Sequence, residues 1–229
     1  LWKQENPLTY NTEFDGILQQ HAIAELSRLT QGHDAFITVG VGQHQMWAAQ
    51  FYQFQQPRQW LSSSGLGTMG FGLPAAMGVQ IAHPGALVID VAGEASVLMN
   101  MQELSTIMQY RLPVKIFIIN NRYMGMVRQW QELMHGGRYS ESYMEALPDF
   151  VKLAESFGAA GLRVSKPSEV DDAIEEMIAI DRAVVVDVVV DQHENCFPMI
   201  PSGAAHNEIL LGPEDKVESP ASEDGMVLV

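Results

Sequence analysis

Three observations predict a doubly wound α/β fold with a mostly parallel sheet of six strands. Short, mainly apolar runs, at 35–39, 87–92, 114–119, 160–164 and 183–190, most of them rich in β-branched residues, alternate with stretches whose apolar residues recur every three or four positions. The last run is nearly continuous in valine, as suits a strand buried on both faces. Residues 87–126 hold two strand-to-loop turns with oxygen-bearing side chains at their mouths, and open parallel sheets bind ligands at that carboxyl edge.

Taken in order, residues 1–12 read as a polar linker, 13–211 as one α/β domain and 212–229 as an acidic tail. Phe14, Ile17, Leu18, Ile23, Leu26 and Leu29 predict an amphipathic helix over 14–29, closed by the turn Gln31-Gly32-His33-Asp34. The strand 35–39 leads into a loop, Gly40-Val41-Gly42-Gln43-His44. Residues 47–57 are apolar and aromatic without a clear period, and Trp60-Leu61-Ser62-Ser63-Ser64 precedes a glycine loop, Gly65-Leu66-Gly67-Thr68-Met69-Gly70. Pro74 opens a helix of small residues, 75–82, suited to close packing on the sheet. The strand 87–92 runs into the turn Gly93-Glu94-Ala95-Ser96, then a helix carried by Leu98, Met101, Leu104, Ile107 and Met108. The strand 114–119 delivers Asn120-Asn121 and then Arg122-Tyr123-Met124-Gly125-Met126. A helix over 127–135 bears Trp130, and another over 148–157 stops at Gly158. Ser168 and Asp171 form a capping-box pattern for a helix ending near Ile180.

The net charge of −15 argues against a nucleic-acid or anionic-membrane surface, and an anionic ligand would need a local cation. With 47% hydrophobic and 18% charged residues, a chain of 229 residues can bury a sizeable core. The single cysteine, Cys196, allows no internal disulfide and no paired-cysteine site, which fits a reducing, cytoplasmic compartment. No apolar run reaches membrane-spanning length, the first residues do not resemble a signal peptide, and a start other than methionine suggests a longer parent chain.

The chemistry suggested by 87–126 is a magnesium ion held against a phosphate, since magnesium takes carboxylate, amide, carbonyl and phosphate oxygens. Glu94, the amide oxygen of Asn121 and a backbone carbonyl near Tyr123 could ligate it, while Gly93 and Gly125 would let the backbone approach a diphosphate. A competing reading uses the glycine loop 65–70, which satisfies GxGxxG, with Asp90 as the ribose-binding acid of a nicotinamide-dependent oxidoreductase. A third is a binding or assembly domain without catalysis. His193, Glu194 and Cys196 lie close in sequence but lack a second cluster of ligands for a transition metal.

Gly93-Glu94-Ala95-Ser96 followed by Asn120-Asn121 resembles the thiamine-diphosphate signature. Val41-Gly42-Gln43-His44-Gln45-Met46-Trp47, the glycine loop continued to Pro74, Gly125-Met126-Val127-Arg128-Gln129-Trp130 and Pro198-Met199-Ile200-Pro201-Ser202-Gly203 together resemble the large catalytic subunit of acetohydroxyacid (acetolactate) synthase. Glu94 departs from that family's usual aspartate by one methylene.

The resemblance implies condensation of pyruvate with a second 2-ketoacid, pyruvate or 2-ketobutyrate, in branched-chain amino-acid synthesis. It assigns cofactor contacts to Val41, Gly42, Gln43, His44, Gly67, Thr68, Met69, Gly93, Ala95, Ser96, Asn121, Tyr123, Met124, Gly125 and Met126, and metal contacts to Glu94, Asn121 and Tyr123. Met69 would hold thiamine diphosphate bent, against the plainer reading of a core gap filler. Trp130 would wall the pocket for the second ketoacid, against that of a partly buried tryptophan. The resemblance further implies a homodimer or tetramer of the parent chain, an optional small regulatory subunit, and an activating glutamate and FAD carried mainly by other domains, so that this chain alone turns over no pyruvate.

Overall fold

The computed structural model describes Glu5 and residues 7–213; the tail expected at 212–229 lies almost wholly outside them, as does part of the linker expected at 1–12. Six strands form one sheet in the order β2-β1-β3-β4-β6-β5, every neighbouring pair parallel. They are β1 (Ala35–Val39), β2 (Trp60–Ser62), β3 (Leu87–Gly93), β4 (Lys115–Asn120), β5 (Ala160–Val164) and β6 (Val184–Val189). The doubly wound parallel sheet read from the sequence is therefore present, and without an antiparallel member.

Alternate strand residues point to opposite faces, and each face has its own core. On one side Ile37, Val39, Ile89, Val91, Phe117, Val184 and Val186 meet α1 (Gln19–Leu29), α2 (Gln43–Phe51) and α8 (Val170–Ala179). On the other, Val88, Ala92, Ile116, Ile118 and Val185 meet α3 (Gly72–Ala82), α4 (Glu94–Met99), α5 (Glu103–Gln109) and α7 (Phe150–Phe157). The remaining helix, α6 (Gly125–Leu133), follows β4 at the carboxyl edge.

Several local expectations are corrected. The first helix starts at Gln19, because Gly16 sits at φ +150° and Leu18 is extended, so Phe14 and Ile17 precede it. The loop expected over 40–44 ends at Gly42: helix α2 already takes in Gln43 and His44 and runs through 47–51 of the unpatterned stretch, leaving 52–57 irregular, and its glutamines mask its period. Gly93 passes directly into α4 with no intervening turn, and the single helix expected beyond it is two, broken at Asn100. Helix α8 begins at Val170 and has no side-chain cap from Ser168 or any other residue at its N-cap position; the capping box lies one turn earlier, where Glu169 Oε2 accepts the N–H groups of Ser165 and Lys166 at 3.3 and 3.2 Å and closes the 3-10 turn Pro167–Glu169.

This winding positions the site. The chain leaves β1 along one face through α2 and leaves β3 along the other through α4. The crossovers thus diverge between neighbouring strands β1 and β3, the topological switch point at which such sheets open a crevice.

Candidate functional site

The carboxyl ends of β1, β3 and β4 open into one cleft of about 460 Å3, counting its mouth. Helices α2, α4 and α6 begin there, after Gly42, Gly93 and Met124, and none has its first turn capped by the preceding side chain. Each start leaves backbone N–H groups without intrahelical partners and contributes partial positive charge, so the cleft suits an anion even in an acidic protein.

Against these donors stands Glu94, 1% exposed, in the first turn of α4. Its Oε1 has no hydrogen-bond partner, and burial raises the carboxyl to about 7, an effect offset in part by its own N–H and those of Tyr123 and Arg122. A buried oxygen without a partner is costly unless something fills its coordination. His44 is the second such group: burial lowers it to about 4, so it is neutral, and its Nε2 lacks a partner. Its ring lies against Gly93, where an added Cβ would come within 3.0 Å of Nδ1.

The two asparagines ending β4 divide their work. Asn120 turns into the sheet and donates to Asp187 at 2.8 Å, and Asp187 accepts from Arg163 at 3.0 Å. Asn121 turns to the cleft, its Oδ1 accepting the Tyr123 N–H at 3.0 Å. Arg122 follows them in the left-handed region at φ +62°, its N–H donating to Asn120 Oδ1 at 3.3 Å. The backbone beside Tyr123 is pinned by Met124 N–H to the Ser142 carbonyl and Met144 N–H to that of Arg122, both 2.8 Å.

Val41, Gly42, Gln43, His44, Met69, Gly93, Glu94, Ala95, Ser96, Asn121, Tyr123, Met124, Gly125 and Met126 all line this cleft. Gly67 and Thr68 do not: they lie in the exposed part of the glycine loop, where Thr68 N–H bonds Ser63 Oγ at 3.1 Å. Trp130, 41% exposed, lines a neighbouring surface hollow with His135 and Arg138, joined to the cleft through Met126 and Val127. Gln43 lines the cleft, yet its carboxamide is engaged by Gln129 and Asn121. Ser96 likewise spends its hydroxyl, accepting the Gly70 N–H at 3.0 Å.

Sequence reasoning missed Trp47, Ile119, Val127, Gln129 and Asn100. Asn100 donates to the Gly70 carbonyl at 2.6 Å, so the peptide groups flanking Gly70 are gripped from both sides and Met69 is held at the cleft wall. Gly70, at φ +79°, is required there, since a Cβ would meet Asn100 Nδ2 at 2.6 Å. Only the helix break at Asn100 could have signalled it.

The dinucleotide reading finds no footing. Asp90 lies mid-strand in β3, 1% exposed, accepting from Thr38 at 3.3 Å, and cannot reach a ribose. Among the described residues no three His, Cys, Asp or Glu side chains gather to hold a metal, so a cation in the cleft would rely on one carboxylate with amide and carbonyl oxygens. Cys196 is buried, its thiol pushed to about 12 by desolvation, which suits packing rather than ligation.

The profile of a family described as thiamine pyrophosphate enzyme, C-terminal TPP binding domain, matches residues 40–188, from the start of the cleft to β6. The chain belongs to that family. As a thiamine pyrophosphate-binding domain it is also similar to the acetolactate synthase isozyme 3 large subunit of Escherichia coli (strain K12), 48% identical over 94% of this chain and 38% of that protein. Acetolactate synthase large subunit of Haemophilus influenzae is 46% identical over 92% of the chain and 37% of its own length. Acetolactate synthase 1, chloroplastic, of Zea mays is 46% identical over 91% and 34%. The chain thus spans little more than a third of the relatives it matches. No helix among the described residues is long and apolar enough to cross a membrane.

Proposed function

We propose that this chain is the cofactor-anchoring domain of a thiamine-diphosphate- and magnesium-dependent enzyme condensing pyruvate with a second 2-ketoacid, pyruvate or 2-ketobutyrate, to acetolactate or acetohydroxybutyrate in branched-chain amino-acid synthesis. The observation that carries the cofactor is the cleft itself, where three uncapped helix starts face a buried carboxylate with one oxygen left without a partner. The relatives named acetolactate synthase support the reaction.

Thiamine diphosphate, when bound, supplies the electron sink for carbon–carbon bond chemistry. In our reading Glu94, the Asn121 amide oxygen and the Tyr123 carbonyl hold magnesium, and the helix starts receive the diphosphate. Neutral His44 sits beside that anion without placing a second charge in the cleft. Met69, Met124, Met126 and Val127 exclude water, and Trp130 shapes the approach of the second ketoacid. The longer Glu94 fits the role, because its carboxyl ends in the cleft with an oxygen unclaimed. FAD, a homodimer or tetramer, and a small regulatory subunit belong to the parent enzyme in this reading. We further read the single cysteine as in keeping with a cytoplasmic setting.

Calorimetric titration of thiamine diphosphate into the chain, with and without magnesium, tests the assignment. Binding is expected only with magnesium and should be lost in Glu94→Ala. Binding that ignores both magnesium and that substitution would overturn it.

A further inference from the structure

A side-chain carboxamide fits its space either way round, and only its partners decide which end is oxygen. That matters at Asn121, because only its oxygen can ligate a cation. Its Nδ2 donates to Gln43 Oε1 at 3.3 Å, and Gln43 Nε2 donates to Gln129 Oε1 at 2.7 Å. Gln129 ends the series on a peptide backbone: its Nε2 donates to the Cys196 carbonyl at 3.0 Å and its Oε1 accepts the Cys196 N–H at 2.8 Å. A backbone carbonyl cannot donate and an N–H cannot accept, so Gln129 reversed would set oxygen against oxygen and donor against donor.

The constraint passes inward link by link. Gln129 so held requires the nitrogen of Gln43 to face it, and the Glu194 carbonyl, accepting from that nitrogen at 3.2 Å, requires the same. Gln43 then presents oxygen to Asn121, which must answer with nitrogen. The oxygen of Asn121 then falls on the other side, where the Tyr123 N–H requires the same orientation, occupying one lone pair and leaving the second for the cleft. Gly125 leaves room for this junction, since a Cβ there would overlap Gln43 Oε1 and lie 2.9 Å from Asn121 Nδ2. All three amides are buried, so water does not readily substitute for a lost link.

We infer that Gln43 and Gln129 are positioning residues for the cation site, transmitting the polarity of the Cys196 peptide group to Asn121 so that its oxygen faces the metal. The inference rests on the magnesium reading given above. It also assigns a task to the segment after β6, which Arg128, 2% exposed, fastens to α6 through the His193 and Glu194 carbonyls at 2.9 and 3.1 Å.

The test is a cycle of substitutions read by magnesium titration at saturating thiamine diphosphate, followed by the change in intrinsic tryptophan fluorescence, to which Trp47 in the cleft wall contributes among four tryptophans. Gln129→Met should weaken magnesium about tenfold, in the range for residues that orient metal ligands. In an Asn121→Asp background both oxygens ligate equally, while Gln43, held by Gln129, opposes an oxygen to the carboxylate. Gln129→Met should there leave affinity unchanged or raise it, since the shorter of the two bonds holding the Gln43 nitrogen, 2.7 Å against 3.2 Å to the Glu194 carbonyl, is gone and the carboxylate can draw that nitrogen inward. Equal weakening in both backgrounds, or none in either, would overturn the relay. Should Gln129→Met fail to fold, Gln129→Leu, which likewise removes the acceptor for the Gln43 nitrogen and the donor to Cys196, runs the same cycle with the same expectations. A wild-type chain that ignores magnesium would sink the cofactor reading first, whereas magnesium binding that depends on Glu94 but not on Gln129 would sink the relay alone.

Discussion

A carboxyl held near 7 by burial is an acid waiting for a cation, and Glu94 is placed to be one. Its value in the folded chain lies above the ordinary carboxylate range, so burial favours the protonated form. That contribution to stability is full below about 4.5 and is lost as pH rises through about 7. Asp90, also raised to about 7 by burial, adds in the same direction without lining the cleft. In the magnesium reading proposed above the ion displaces the Glu94 proton, so its affinity at saturating thiamine diphosphate should rise as pH goes from 5 to 7 and level off above. Calorimetry in two buffers of different ionisation enthalpy should register proton release on binding near pH 6 and little at pH 8. A flat profile would mean that Glu94 does not ligate.

Helices and strands carry a different lesson, because their contacts fix where the site loops emerge. Helix α7 is seated on β5 at Gly161, where an added Cβ would lie 2.8 Å from both the Cα and the carbonyl oxygen of Val151. Backbone on both sides cannot yield as a flexible side chain would. Gly161→Ala should therefore cost on the order of 1–3 kcal/mol, read as a lower urea midpoint with unchanged slope, while magnesium-dependent binding survives. Strands such as 35–39 and 160–164 were legible to the residue, since short, mainly apolar runs bounded by turn residues have few other solutions. Helix α2 was not, because Gln43, Gln45 and Gln50 blur its period, and its glutamines serve buried hydrogen bonds rather than solvent. In the site, Glu94 and Asn121 could be read from residue type next to a strand end. Gln129 and Asn100 could not, since they act through partners 67 and 30 residues away in the chain.

For the molecule as a whole, an all-parallel sheet sorts its connections by direction. Every strand leaves toward the cleft, and every strand is entered from the far side. At that far side Lys115, lowered to about 8 by burial, spends its ammonium on the Ile180 and Arg182 carbonyls behind α8, and the turn at 31–34 stands exposed with open space around Gly32. Nothing at this rim reaches the ligand, so it is the side on which the protein can be spliced. A short Gly/Ser insert between Gly32 and His33 should cost under about 1 kcal/mol and leave cofactor affinity within twofold, as thermal melts and titration would register. One rim holds the cleft and the other tolerates punctuation, which makes the latter the natural anchoring point for a fluorophore, a surface or a fusion partner.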